Sequence, residues 1–539
     1  MEGKNSENQK KISADCQDTL DKLLSNVSLK TDSSEPRKKT ADYILQELLH
    51  SVDKVDFKIL AFPESIEIQK KFKFLDSIRL KGELTKSQNN EFDELKRVLS
   101  GFRLTKNHYL IICIEQLKSI AEAKNWGLCK KNGNVFLYNG CYWVEIDKEK
   151  FQFFLGEVAL KMGVEKFKGK IHTFRDELHK QFMSDAYLPT LSDKSKSVLI
   201  NLQNGTFEIK SNNRELRNFE QQDFITHQLP FDYNPEATAP IFLRYLDEVL
   251  PDKDKQKVFA EYCGYIFIKP SVLKLEKMLI LYGTGANGKS VFFEILNALL
   301  GSENVSNYSL QSLTNDNGYF RAKIGNKLVN YASEINGKLE TDTFKQMVSG
   351  EQIEARLPYG EPFILTEYAK LIFNCNELPK DVEHTNAYFR RFLIIGFDVT
   401  IPEDKQDKQL SQKIIQNELS GVFNWILQGL DRLLEQKKFS KCDAIDNAII
   451  EYEKQSDSVQ LFIDGYEYVP SDTYILISIL YIDYKNFCIE DGYRAVGKSN
   501  FIKRLNHLRL FVKRINVGNV VYITSKQDDI DMKYLLSNM

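Results

Sequence analysis

A multidomain α/β fold is what this sequence predicts, and three observations predict it. An apolar run, Met278 to Leu281, enters a Gly-rich turn, from which an amphipathic helix leaves at Lys289. Two more short apolar runs follow, Lys327 to Glu334 and Ala369 to Asn376, each with the length and texture of a strand. At 539 residues the chain is also too long for one core, which points to three to five domains.

Composition removes several function classes. Lys plus Arg number 73 against 75 Asp plus Glu, a formal charge of -2, so no global basic field advertises nucleic acid and any DNA site must be local. The 8 cysteines are scattered without a C-x-x-C pair, which disfavours zinc and a disulfide framework and fits reduced thiols in a cytoplasm. The first residues carry no apolar signal region, and no run approaches the roughly 18 apolar residues of a membrane span.

Taken in order, residues 1–40 are Lys, Ser, Asn, Asp and Glu with few large apolar groups, a composition expected of a disordered tail, with a short helix open at Leu20 to Val27. Residues 41–124 place Ile44, Leu45, Leu48 and Leu49, then Phe92, Leu95, Val98 and Leu99, at helical spacing. Lys70, Lys71 and Lys73 there read as a solvated helix face before they read as a DNA contact. Residues 125–240 form a mixed α+β region. Asn139-Gly140 breaks a β-rich run from Val135 to Ile146, helical periodicity spans Glu149 to Leu188, and Asn204-Gly205 turns two strands between Ser197 and Lys210. A helical collar over 241–275, with a helix from Asp254 to Phe267, delivers the chain to a core at 276–400.

Inside that core the spacing Gly283, four residues, Gly288, Lys289, Ser290 is the full phosphate-loop pattern. Gly283, Gly285 and Gly288 permit the positive φ that turns successive N–H groups inward, and Thr284, Ala286 and Asn287 supply the rest of the nest. The helix that follows, through Val291, adds its free N–H groups and dipole. Lys289 then reaches the β- and γ-phosphates of ATP, and the Ser290 hydroxyl holds Mg²⁺.

Hydrolysis needs further groups downstream. Glu334, at the end of the Lys327 run, is positioned to act on the attacking water and the metal, although Ser333 stands where a second carboxylate is usual. Asn376 ends the Ala369 run and suits a γ-phosphate sensor, with a turn before Pro379 as its structural alternative. Arg390 and Arg391 precede a third apolar run, and either suits an arginine finger reaching a neighbouring subunit; a surface ion pair is the other reading.

The order GTGANGKS, KQMVSGE (Lys345 to Glu351), RLPYGEPF (Arg356 to Phe363), FNCNELP and FRRF resembles the superfamily-three helicases of the phage, plasmid and poxvirus primase-helicase group. The stretch from Pro230 and Asn204 to Phe207 look like the domain that precedes the motor in that group. The resemblance implies an AAA+ type ring ATPase, a homo-hexamer translocating 3′ to 5′ on single-stranded DNA and opening forked DNA. It further implies that a hairpin, here Gln352 to Leu365, enters the channel, where Arg356 would contact phosphate and Tyr359 would stack on a base or pack on the neighbouring subunit. Lys345 matches a position near phosphate or DNA.

After a helical lid over 401–455, whose charge run Glu435 to Lys441 reads as solvated, residues 456–539 run helix, helix and hairpin, the order of a winged helix. Lys503, Arg504 and His507 on the second helix and Lys513 and Arg514 on the wing suit duplex phosphates, while docking of a protein stays open. Gly492 to Ser499 repeats the phosphate-loop spacing, but it follows a helix, and YRAV has no Gly to let backbone approach phosphate; it reads as a turn.

The first 130 residues hold no zinc-ligand set and no paired carboxylates suited to nucleotidyl transfer, so priming would fall to a separate primase, alongside a single-strand-binding protein. Two readings of the whole remain: a replicative helicase of a phage or mobile element, and an initiator platform that uses ATP only to assemble on DNA. A small-molecule kinase lacks any substrate signature.

Overall fold

The computed structural model describes residues 39–131, 133–186, 197–210, 213–333, 335, 340–358, 360–379 and 382–525. The expected tail up to residue 38, Glu334 and Tyr359 lie outside these residues. From Thr40 the chain forms one compact unit.

Among the described residues, five helices come first: α1 (Ala41–His50), α2 (Phe57–Ala61), α3 (Ser65–Leu80), α4 (Lys86–Gly101) and α5 (Lys106–Ala123). Their starts are written locally. The Thr40 hydroxyl accepts from the Tyr43 N–H, and Thr85 with Gln88 closes a capping box. A β meander follows, β1 (Leu128–Lys131), β2 (Asn134–Tyr138) and β3 (Trp143–Ile146). Next come α6 (Lys148–Met162), ended by Gly163 in the left-handed region, α7 (Lys166–Lys170) and α8 (His172–Asp185). Ile44, Leu48, Ile114 and Leu117 share one core with Phe151, Phe154 and Leu178, so helices from both expected N-terminal regions fold together. A second meander, β4 (Val198–Leu202), β5 (Gly205–Lys210) and β6 (Asn213–Arg217), turns at Gln203-Asn204, one residue before the expected Asn204-Gly205, and adds a third strand.

The centre begins with α9 (Pro240–Val249) and α10 (Lys253–Tyr265) and continues through β7 (Met278–Tyr282), α11 (Lys289–Leu300), β8 (Val305–Ser306), α12 (Leu310–Thr314) and α13 (Tyr319–Lys323). Then come β9 (Val329–Ala332), α14 (Thr341–Val348), the hairpin β10 (Ile353–Ala355) with β11 (Phe363–Leu365), β12 (Lys370–Cys375), α15 (Asn386–Phe389) and β13 (Phe392–Gly396). Five of these strands form one parallel sheet in the order β13-β7-β12-β9-β8, which is 5-1-4-3-2 counted along the chain. The apolar residues of β7 alternate faces: Leu279 and Leu281 join Tyr245, Tyr262, Leu296 and Leu430, while Met278 and Ile280 join Phe344, Met347 and Tyr452. Helices therefore cover both faces, which is why the strands read as continuous apolar runs. The helices α9 and α10, in the segment expected as a collar, share the first of these cores.

Beyond the sheet lie α16 (Leu410–Asn417), α17 (Leu419–Gln436) and α18 (Asp443–Ser456). α17 meets α10 at closest approach through glycines: a Cβ on Gly429 would sit 2.3 Å from the Ala260 carbonyl carbon, and one on Gly264 2.7 Å from the Leu430 Cα. The charge run after α17 departs from the simple solvated reading. Lys437, Lys438 and Lys441 are exposed, but Phe439 packs on Tyr262 and Tyr265, and Ser440 donates from both N (2.8 Å) and Oγ (2.6 Å) to the fully buried Glu261.

The last region runs α19 (Ser458–Gly465), β14 (Tyr468–Leu476), α20 (Ile477–Glu490), α21 (Lys498–His507), β15 (Val512–Ile515) and β16 (Gly518–Ser525), with the sheet order β14-β16-β15. The two helices and the hairpin fall where the sequence places them. β14 is an addition to that order; its register shifts between Pro470 and Ile475, which accommodates the proline.

Candidate functional site

The Gly-rich loop leaves the carboxyl end of β7, beside the point where the sheet's connections reverse direction, the place where open parallel sheets take their ligands. Gly285 (φ 117°), Ala286 (φ 48°) and Gly288 (φ 85°) adopt left-handed backbone, which aims loop N–H groups inward. Two of the glycines are also forced by space. A Cβ on Gly288 would lie 2.7 Å from Val249 Cγ1, and one on Gly283 would lie 2.2 Å from Asn287 Nδ2 and 2.6 Å from the Phe397 carbonyl oxygen.

Neighbouring segments pin the loop. Tyr245 donates its hydroxyl to the Gly288 carbonyl at 2.8 Å, Ile401 N–H donates to the Ala286 carbonyl at 2.8 Å, and Gly283 N–H donates to the Cys375 carbonyl at 3.1 Å. Lys289 is buried, and its ammonium donates to the Gly283 carbonyl (2.6 Å) and to Asn287 Oδ1 (3.0 Å). Burial lowers its pKa from the ordinary lysine value. Thr284, Ala286 and Ser290 are exposed, with Ser290 in the first turn of α11 and Val291 half-buried behind it. An inward-turned backbone, a buried ammonium and an exposed hydroxyl at a helix N-terminus fit a polyphosphate with its divalent cation.

Asn376 follows Cys375, whose carbonyl bonds Gly283, so it stands exposed beside the loop at the end of β12. Asn374, by contrast, is turned inward and accepts the Tyr331 hydroxyl at 2.9 Å. On the face of the sheet opposite α11, a cavity of 260 Å³ opens near this end, lined in part by Tyr282, Glu377, Pro379, Tyr452 and Tyr493.

Arg390 and Arg391 lie at the other end of the sheet. Met278 N–H donates to the Arg391 carbonyl, and β13 runs in register with β7 from Phe392 opposite Met278 to Gly396 opposite Tyr282. Five residues of strand, roughly 16 Å, separate the pair from the loop of the same chain. The two arginines differ. Arg391 is buried, donates to Ser349 Oγ (3.0 Å) and to the Ala387 carbonyl, and has its pKa lowered by burial and then by the Arg390 charge. Arg390 is half exposed and pairs with Glu276 at 2.6 Å.

The remaining expected positions are scattered. Lys345 on α14 forms a two-oxygen pair with Glu383 (2.9 and 2.7 Å). Arg356 is exposed at the hairpin tip, where its Nε donates to the Gly360 carbonyl at 3.0 Å. Lys503, Lys513 and Arg514 are exposed on the last region, whereas Arg504 is turned to Asp457 at 3.0 Å. The turn at Gly492 to Gly497 sits between α20 and α21. Tyr245, Phe397 and Ile401, which shape the loop from far along the chain, carry no sequence signal: Phe397 and Ile401 act through their backbone groups, and Tyr245 is one aromatic among several on an amphipathic helix.

Among the described residues, no helix is long and apolar enough to cross a membrane. Residues 108–251 match the family described as D5 N terminal like, and residues 281–391 match a family of unknown function, DUF5906. A protein of Acanthamoeba polyphaga mimivirus named as a putative helicase is 23% identical over 239 residues, 42% of this chain and 24% of that protein, so the match spans about a quarter of its length. Two solved structures of the NrS-1 C terminal region align at 14% identity with TM-scores of 0.43, over 76% and 77% of this chain and 98% and 99% of theirs. The chain thus matches the D5 N terminal like family ahead of its parallel-sheet core and is similar to a viral protein named as a helicase.

Proposed function

We propose that the chain is an ATP-dependent DNA helicase of a phage, virus or mobile element, of the superfamily-three type, working as a ring. One observation carries the reading. The phosphate-loop pattern with its buried Lys289 and neighbouring Asn376 stands at one end of a 5-1-4-3-2 parallel sheet, while the arginine pair stands at the other. That separation suits a site completed by the next subunit, as the AAA+ type requires, and supports Arg390, the more exposed guanidinium, as the group offered across the interface. In this reading the loop and Lys289 bind the phosphates of ATP, Ser290 holds Mg²⁺, Glu334 positions water and Asn376 contacts the γ-phosphate. The bound Mg²⁺ supplies charge neutralisation on the phosphate oxygens.

The hairpin β10–β11, with Arg356 at its tip, suits contact with a single strand, and Lys503, Lys513 and Arg514 suit a duplex backbone. A forked duplex with one labelled strand tests the assignment. The wild-type chain releases the strand with ATP and Mg²⁺, and Lys289→Ala does not. A fork that stays annealed while ATP still drives assembly on DNA would establish the initiator-platform reading in its place.

A further inference from the structure

Asn287 touches two things at once. Its Oδ1 accepts from Lys289 Nζ at 3.0 Å, and its Nδ2 donates to the Phe397 carbonyl at 3.1 Å, just past the end of β13. The side chain is buried at 3% exposure. Space for its amide exists only because Gly283 lacks a Cβ, since that atom would lie 2.2 Å from Nδ2. Phe397 is itself fixed: it is buried, and its N–H donates to the Tyr282 carbonyl at 2.7 Å. The amide is therefore anchored at one end to the sheet and presents its oxygen to the ammonium at the other.

An ammonium has three donors and no acceptor. With one held by Asn287 and one by the Gly283 carbonyl, one remains for a phosphate oxygen, and the direction of the Nζ group is set in part by a side chain that need not touch the ligand. We propose that Asn287 is a positioning residue for Lys289, fixing the ammonium against the sheet so that it meets the transferring phosphoryl group in a defined orientation. The proposal rests on the ATPase reading above and adds a role within the same loop.

Two substitutions give opposite signatures. Asn287→Ala removes the acceptor and leaves the backbone nest, so ATP still binds while the ammonium is misdirected; kcat should fall about 10-fold to 100-fold with KM within about threefold of wild type. Asn287→Asp retains an acceptor and adds a negative charge that competes with phosphate for the ammonium, so KM for ATP should rise more than kcat falls. A merely structural residue would move both constants together in both variants and lower the unfolding midpoint in parallel.

The experiment is steady-state ATP hydrolysis by the full chain with single-stranded DNA, alongside equilibrium binding of a fluorescent ATP analogue and thermal unfolding of each variant. The split between the two variants is the expected result. Wild-type constants in Asn287→Ala, or a matched loss in both variants that tracks the unfolding midpoint, overturn the positioning role while leaving the ATPase reading intact. A wild-type chain that binds the analogue no better than Lys289→Ala overturns the ATPase reading itself, and the role of Asn287 with it.

Discussion

The carboxylate of Glu418 accepts the backbone N–H groups of Ile241 and Phe242, each at 2.9 Å, across 177 and 176 residues of sequence. It closes the amino end of α9, where Ala239 offers no side-chain cap, and so ties the start of one helix to the start of α17. Glu418 is buried. Glu418→Ala leaves two buried donors unmet and should cost about 1–3 kcal/mol, read as a lower midpoint in thermal unfolding. Glu418→Gln should recover part of the loss, because its amide oxygen still accepts.

Gly429 has no room for a methyl group, and what stands in the way is the backbone of α10, not the end of a flexible side chain. Gly429→Ala must push α10 and α17 apart, at a cost of about 1–3 kcal/mol in urea unfolding. Equal stability of variant and wild type would show that the two helices have room to part at Gly429.

Lys370 lies with its ammonium 3.9 Å from the Tyr265 ring centre, and burial pushes its pKa down to about 7 from 10.5. Between those values the unfolded chain holds the proton and the folded chain does not. This group therefore makes stability rise as pH climbs from 7 towards 10.5 and contributes no slope below 7. Lys370→Met should be more stable than wild type near neutral pH, with the gap closing as the pH nears that of free lysine. Unfolding midpoints of the two proteins across that range check it, and a gap that ignores pH refutes it.

The two neighbouring arginines should separate in a simple comparison. Arg391→Ala empties a buried position bonded to Ser349 and Ala387 and should lower the unfolding midpoint. Arg390→Ala removes a half-exposed group and should leave folding and ATP binding near wild type while lowering the hydrolysis rate by about 10³-fold or more, if it serves the next subunit. Mixing Arg390→Ala with Lys289→Ala protein should restore part of the activity, since each can supply what its neighbour lacks.

On the last region, Lys513 and Arg514 are exposed on β15, and Lys513 leans over the Tyr522 ring at 5.4 Å. Replacing both with Ala should weaken duplex binding for all sequences alike and flatten the plot of log affinity against log salt by about 2. An unchanged slope would place the DNA contact elsewhere.

The sequence disclosed what repeats at short range. The β7 strand, its Gly-rich turn and α11 were legible because strand, turn and helix are contiguous and each has its own residue grammar. So were the β4–β5 hairpin, to within one residue at its turn, and the two helices on either side of the Gly492 turn. The order of the sheet was not, because β13 and β12 reach β7 only through long-range pairing that apolar runs do not specify. Nor was the difference in burial between Arg390 and Arg391: adjacent identical residues differ only in what lies around them, here Ser349 and the Ala387 carbonyl for the buried one and a close Glu276 carboxylate for the exposed one. β14 was hidden by Pro470, which a bulge accommodates at a sheet edge.

The placement of the loop and the arginine pair at opposite ends of one sheet has a consequence for how such a protein would be switched. If Arg390 is the finger proposed above, it cannot reach its own loop, and a lone chain would be an idle engine whatever the supply of fuel. Turnover per chain would then climb with protein concentration until rings are complete, and dilution alone would act as the brake. Abundance in the cell would set the onset of activity, with no separate inhibitor required.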